Sequence, residues 1–170
     1  MAINLTLPVT GGSQNTWGDL LNTALTSVES TLNGTGTGKT TVNPDLIIIS
    51  LGANDAYRLN FNDSVFYHHY DSLINIVRAA LPNSNIILTT TGDGKRYRKT
   101  PLIENILIRK CILNLAKKNN CAVWDFFNVM GGLGSINHWY ANKLTAEDFL
   151  HLNEEGYAFQ GKLFYHALSE

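Results

Sequence analysis

The chain has 170 residues, 44% hydrophobic and 16% charged, the composition of one ordinary globular domain that buries its own core. Thirteen Lys and Arg nearly balance fourteen Asp and Glu, for a net charge of -1, so no basic face for nucleic acid is implied. The two cysteines, Cys111 in a helix pattern and Cys121 at a strand start, read as buried thiols and argue against a disulfide framework or a metal cluster.

The opening MAINLTLPVTGG has no basic region and no apolar stretch of signal-peptide length, and no later run approaches membrane-spanning length. The chain is therefore expected to be cytosolic, or to have had a leader removed. Residues 3–9 alternate Ile3, Leu5, Leu7 and Val9 against polar positions and Pro8, the pattern of a half-buried strand near an edge. Gly11, Gly12 and Ser13 make a turn, and Asn15 or Thr16 can cap a helix whose apolar residues run from Trp17 through Leu20, Leu21, Ala24, Leu25 and Val28 to Leu32. Residues 33–43 form a Gly- and Thr-rich loop. Its GTGTGKT string follows no strand and lacks Walker spacing, so it is not read as a nucleotide site.

Residues 44–55, PDLIIISLGAND, are the organising stretch. The apolar run Leu46 to Leu51 is too short for a buried helix and reads as a central parallel strand. Open α/β sheets bind ligands beyond the carboxyl ends of their strands, which puts Gly52, Ala53, Asn54 and Asp55 at the mouth of a crevice. A loop to Asn62 then leads to a helix capped by Asp63 or Ser64, with Phe66, Tyr70, Leu73, Ile74, Val77, Ala80 and Leu81 on one face and Pro82 as its stop. Residues 85–91 are a second buried strand. The following GDGKRYRKTP loop holds Lys95, Arg96, Arg98 and Lys99; it reads either as a solvated loop or as an anion clamp at the same crevice, with Arg96 as the candidate substrate contact.

Residues 102–119 are a strongly apolar helix with Ile103, Ile106, Leu107, Leu113 and Ala116 as expected core, and residues 122–127 the last strand. Strands alternating with helices of this length predict an α/β domain, a parallel sheet covered on both faces. Residues 131–144 are a glycine-rich loop running into a short helix that walls the crevice. AEDFLHLNEEGY then places Asp148 and His151 just before a terminal helix capped by Asn153, with Glu154 and Glu155 in its first turn. A carboxylate three residues before a histidine can hold one ring nitrogen and leave the other free, as a general base requires. The competing reading is a histidine that only satisfies its loop.

PDLIIISLGAND together with AEDFLHLNEEGYAFQGKLFYHAL resembles the SGNH (GDSL-type) esterase family over about residues 44–170. VWDFFNVMGGLGS before a Trp-containing helix resembles a bacterial branch akin to carbohydrate or cell-wall acetylesterases. The resemblance implies a single three-layer α/β/α domain over residues 1–170 with a flavodoxin-like parallel sheet, and a serine ester hydrolase acting on small acyl esters such as acetyl groups on glycans. It implies no cofactor and no metal. Asn54 is then an oxyanion donor, His151 the base, Asp148 its orienting carboxylate and Asp55 a substrate contact. The nucleophile of such enzymes sits in a Gly-Asp-Ser turn after the first strand; here the matching place is Gly11-Gly12-Ser13, with glycine in place of aspartate. Only residues 33–43 are available for the family's second strand and oxyanion glycine, so the strand is shortened or missing and Gly34, Gly36 or Gly38 can supply the donor, with Gly36 taken as the candidate. Residues 1–37 are also similar to segments of bacteriophage tail and fibre proteins. That likeness carries the alternative expectation of a non-catalytic glycan-binding or tail-associated module without a competent nucleophile.

Overall fold

The structure, a computed structural model, describes residues 44–169. The expected first strand and helix, Ser13 and Gly36 lie outside the described residues. By its internal contacts the chain divides into two compact units. The described part of one comprises residues 44–45 and Leu73–Ser84. There Arg78 Nη1 donates to Ser84 O at 3.1 Å and the Ser84 hydroxyl donates to Pro44 O. The other comprises Leu46–Ser72 and residues 85–169, and holds the sheet and the candidate site.

Three strands, β1 (Leu46–Ser50), β2 (Asn85–Thr89) and β5 (Ala122–Trp124), form a parallel sheet in the order β1-β2-β5. The register pairs Ile49 with Leu88 and Leu88 with Val123. Among the described residues β1 stands at one end of this order rather than in its centre, and Leu46 and Ile48 are exposed. The strand expected over residues 3–9 lies outside the described residues. Alternation along β2 sends Ile86 and Leu88 to one face and Ile87 to the other. Ile87 packs in a cluster with Trp124, Phe126, Met130, Ile136 and Trp139, so the sheet is flanked by helices as an α/β fold requires.

The helices are α1 (Ala53–Tyr57), α2 (Asp63–Ala80), α3 (Glu104–Asn119), α4 (Phe126–Met130), α5 (Ile136–Ala141) and α6 (Glu154–Ser169). Several boundaries differ from expectation for physical reasons. The expected loop to Asn62 is preceded and partly replaced by a short helix: Gly52 adopts φ 116° and its carbonyl accepts the Ala56 N–H at 2.9 Å, which starts α1. The cap of α2 is Asn62, whose Oδ1 accepts the Val65 N–H at 3.0 Å, rather than Asp63 or Ser64. The last strand stops at Trp124 because Asp125 is drawn into a bidentate pair with Arg109 and accepts the Thr90 hydroxyl, after which α4 begins. Cys121 is half-buried and Cys111 buried.

The buried stripe of α3 is Asn105, Ile108, Ile112, Leu115 and Ala116. Ala116 was expected there, but Ile103, Ile106 and Leu107 are exposed, at 61%, 45% and 43%. The phase of the helix is set by polar Asn105, whose side chain accepts the Thr91 hydroxyl and donates to Gly92 O. A stripe judged by apolar residues alone misses such an anchor. Between β2 and α3, β3 (Lys95–Arg96) and β4 (Thr100–Pro101) make a small antiparallel hairpin where a loop was expected. Tyr97 and Arg98 take positive φ at its tip, in a turn that the Lys99 N–H closes onto Arg96 O at 3.2 Å.

Candidate functional site

Beyond the carboxyl ends of β1 and β2 lies a crevice of about 260 Å³. Ser50, Leu51 and Ala53 line it from the β1 side, Thr90 and Thr91 from β2, and Leu150 and Leu152 from the last connection. Its lining residues therefore come from the strand ends where an open α/β sheet presents its site.

His151 stands between Leu150 and Leu152 and bonds Asp148 through Nδ1 to Oδ2 at 2.6 Å. The other carboxylate oxygen, Oδ1, accepts the backbone N–H groups of Leu150 and His151, each at 2.9 Å. One side chain thus holds both the ring and the backbone that carries it. Burial pushes the Asp148 carboxyl up, but the His151 ring and the two N–H groups outweigh it and hold the group below the usual carboxylate range. Phe149, inside the turn, has φ 57°, a conformation a bulky residue adopts only when its surroundings impose it. Its carbonyl accepts the Lys95 N–H at 2.8 Å and its ring stacks on Tyr140 at 4.2 Å between centroids.

The turn is closed at both sides. Ala146 N–H donates to His151 O at 2.8 Å, and Thr145 pairs with Leu152. Asn153, the expected cap of α6, accepts the Gly156 N–H at 2.9 Å and donates to Lys143 O at 2.7 Å. Gly156 packs so tightly that a Cβ there would lie 1.8 Å from Leu144 O. Only glycine lets α6 seat against this connection.

The other edge of the crevice is carried by Gly52 and α1. A Cβ on Gly52 would come within 2.9 Å of Ile108 Cγ2, and its φ lies in the left-handed region. Asn54 is exposed on α1, next in the chain to Ala53, which lines the crevice. For Asp55, burial raises the carboxyl above its ordinary value and outweighs the lowering by Arg58, its own backbone N–H and His69.

Arg96 does not face the crevice as an anion clamp. Its side chain is 9% exposed, with Nε donating to Tyr57 O at 2.9 Å and Nη2 to Ala56 O at 2.8 Å and Arg58 O at 3.1 Å. Glu104 Oε1 completes the set at 3.0 Å. A helix of five residues leaves its last carbonyls unpaired, and a buried guanidinium with forked donors satisfies several at once. The neighbouring cations serve elsewhere: Lys95 Nζ donates to Asn137 at 2.6 Å and lies over the Phe149 ring, and Arg98 makes an exposed pair with Glu147.

Asp93, which nothing in the motif singled out, is 4% exposed and accepts the N–H groups of Gly134 and Ile136 at 2.9 and 3.0 Å. It ties the loop after β2 to the glycine-rich turn. Among the described residues no group of three or more His, Cys, Asp or Glu is arranged to hold a metal, and no helix is long and apolar enough to cross a membrane.

The fold is shared with known proteins. The model of the GDSL-like lipase/acylhydrolase family matches residues 6–159. No curated protein matches the sequence significantly. Among solved structures, a peptidoglycan O-acetylesterase aligns with a TM-score of 0.72 at 19% identity, over 86% of this chain and 43% of its own. An acetyl xylan esterase, AlAXEase, aligns at 0.58 and 20% identity, over 74% and 67%. A lipase/acylhydrolase from Enterococcus faecalis aligns at 0.55 and 21% identity, over 74% and 61%. At these identities the likeness is one of fold, and the chain spans less than half of the O-acetylesterase.

Proposed function

The chain belongs to the GDSL-like lipase/acylhydrolase family, and on that footing we propose that it is a serine ester hydrolase acting on small acyl esters, with an acetyl group on a glycan as the natural substrate. The observation that carries this reading is the 2.6 Å contact of His151 Nδ1 with Asp148 beside a crevice of acetyl-compatible size. A ring held at Nδ1 keeps Nε2 for proton transfer, and a carboxylate fixed by two backbone N–H groups cannot swing away from it.

In this mechanism Ser13 Oγ attacks the acyl carbon while His151 Nε2 takes its proton. The carbonyl electron pair moves onto oxygen, which Asn54 and the Gly36 N–H stabilise, and the alcohol leaves with the proton from the imidazolium. Water then repeats the sequence on the acyl-enzyme, releasing the carboxylic acid and freeing Ser13. Asp55 orients the substrate at the crevice mouth. Asn54 on α1 and His151 are both exposed to solvent, which supports their meeting a ligand.

The test is p-nitrophenyl acetate turnover by the parent chain against His151→Ala, with fluorophosphonate labelling of the parent and of Ser13→Ala. Loss of turnover in the first variant and of labelling in the second is the expected result. Labelling that persists in Ser13→Ala assigns the nucleophile elsewhere. Turnover no higher than in His151→Ala, with no labelling of either form, replaces the enzyme by the non-catalytic glycan-binding module.

A further inference from the structure

A second concavity of about 690 Å³ opens between the glycine-rich turn, α5 and α6. Met130 lines both it and the crevice, so the two share a wall. Trp139 and Phe159 give the groove an aromatic side, their rings tilted with centroids 5.6 Å apart. The indole N–H is engaged by Met130 O at 3.0 Å, which fixes the ring, while Phe159 remains 41% exposed.

The polar part of the groove comes from Ser135, His138 and Asn142. Asn142 Nδ2 donates to His138 O at 2.8 Å, so its amide is oriented by its own helix. Ser135 is 5% exposed, and its hydroxyl has no hydrogen-bond partner among the described residues. A buried hydroxyl left unpaired is unfavourable, and such a group calls for an explanation outside the protein's own bonds. Among the described residues no Asp, Glu, Lys or Arg lines the groove.

We propose that this groove binds a neutral saccharide unit, the body of the molecule whose ester enters the adjoining crevice. An exposed aromatic face suits the C–H face of a sugar ring, and fixed uncharged donors and acceptors suit its hydroxyl or acetamido groups. The lack of Lys and Arg among the described lining residues disfavours an anionic sugar, whose carboxylate would meet no fixed positive charge there. The volume falls in the range of small-ligand sites and exceeds what an acetyl group needs. The saccharide's role as substrate rests on the esterase reading above; its binding does not.

The experiment is calorimetric titration of the full chain with xylotriose, N-acetylchitotriose and anionic trigalacturonic acid, repeated with Phe159→Ala, Phe159→Leu and Ser135→Ala. At least one neutral trisaccharide binds saturably, and equally well to His151→Ala, because no catalysis is involved. Either Phe159 variant weakens that binding by about tenfold. Ser135→Ala weakens it several-fold without lowering Tm, since its hydroxyl has no bond among the described residues to lose. Failure of both neutral trisaccharides to bind, equal binding of the anionic one, or unchanged affinity in folded Phe159→Leu each overturns the proposal. Binding that survives while p-nitrophenyl acetate is not turned over rejects only the esterase reading.

Discussion

The two edges of the crevice are built in opposite ways. The Asp148–His151 turn is held by its own residues: one carboxylate accepts three hydrogen bonds from groups no further than three positions along the chain. The Gly52–Tyr57 edge is held from a distance, by an arginine 38 to 40 residues away whose guanidinium collects the carbonyls that end α1. The first edge is therefore largely encoded where it sits. The second exists only if the hairpin after β2 folds back onto it, and its integrity is a property of the tertiary structure.

The comparison breaks most visibly at the local edge, through activity. Asp148→Asn retains an oxygen for the two backbone N–H groups but replaces the acceptor of His151 Nδ1 by an amide that can select the wrong tautomer. The expected result is a fall in kcat/KM for p-nitrophenyl acetate of roughly 10³ to 10⁴, with the fold intact by circular dichroism. Because the folded Asp148 carboxyl is held below its unfolded value, the stability it contributes is present above that value and is lost as pH falls through the folded one. The Tm difference between parent and variant accordingly closes in acid. Parent-level turnover by Asp148→Asn would remove Asp148 from the mechanism.

The remote edge breaks through stability. Arg96→Met leaves Glu104 and three helix-end carbonyls without their shared donor, and removing one partner of a buried pair costs about 3 to 5 kcal/mol. In a domain of this size that lowers Tm by roughly 6 to 20 °C. Arg96→Lys recovers little, because a single ammonium cannot reproduce the fork that reaches Tyr57 O, Ala56 O and Arg58 O together. A Tm within 2 °C of the parent would show that α1 stands without its buttress.

The same contrast explains what was legible in the sequence. Strands over residues 46–51 and 85–91, the helix ending before Pro82, the Asn153 cap and the Asp148–His151 pairing are written in short-range patterns. The roles of Arg96, Asn105 and Asp93 are not, because each acts through partners a dozen or more residues away or, as with Glu104, through a partner whose place depends on the fold. Arg96 in particular lies in a run of four cations within five residues, where nothing local separates the buried member from its solvated neighbours. The exposed Ile103, Ile106 and Leu107 misled for a related reason. Apolar count alone does not set helix phase when a polar side chain has two buried partners waiting.

The smallest effect separates the two edges by the sign of their pH dependence. Asp55, on the remote edge, has its carboxyl raised because burial outweighs Arg58, its own N–H and His69, whereas Asp148 is lowered. A group raised in the folded state contributes stability that is fully present below its unfolded value and is lost as pH rises through the folded one. Above its folded value the Asp55 carboxylate is thus a charged group at a position that disfavours charge. Asp55→Asn is expected to raise Tm at pH 7 and to leave it unchanged at about pH 3, where the parent carboxyl is protonated in both states. Thermal melts across that range read the result directly. A Tm that falls at pH 7 would mean that the carboxylate is held by favourable contacts after all, and would make the two edges alike in their electrostatics although they differ in how they are built.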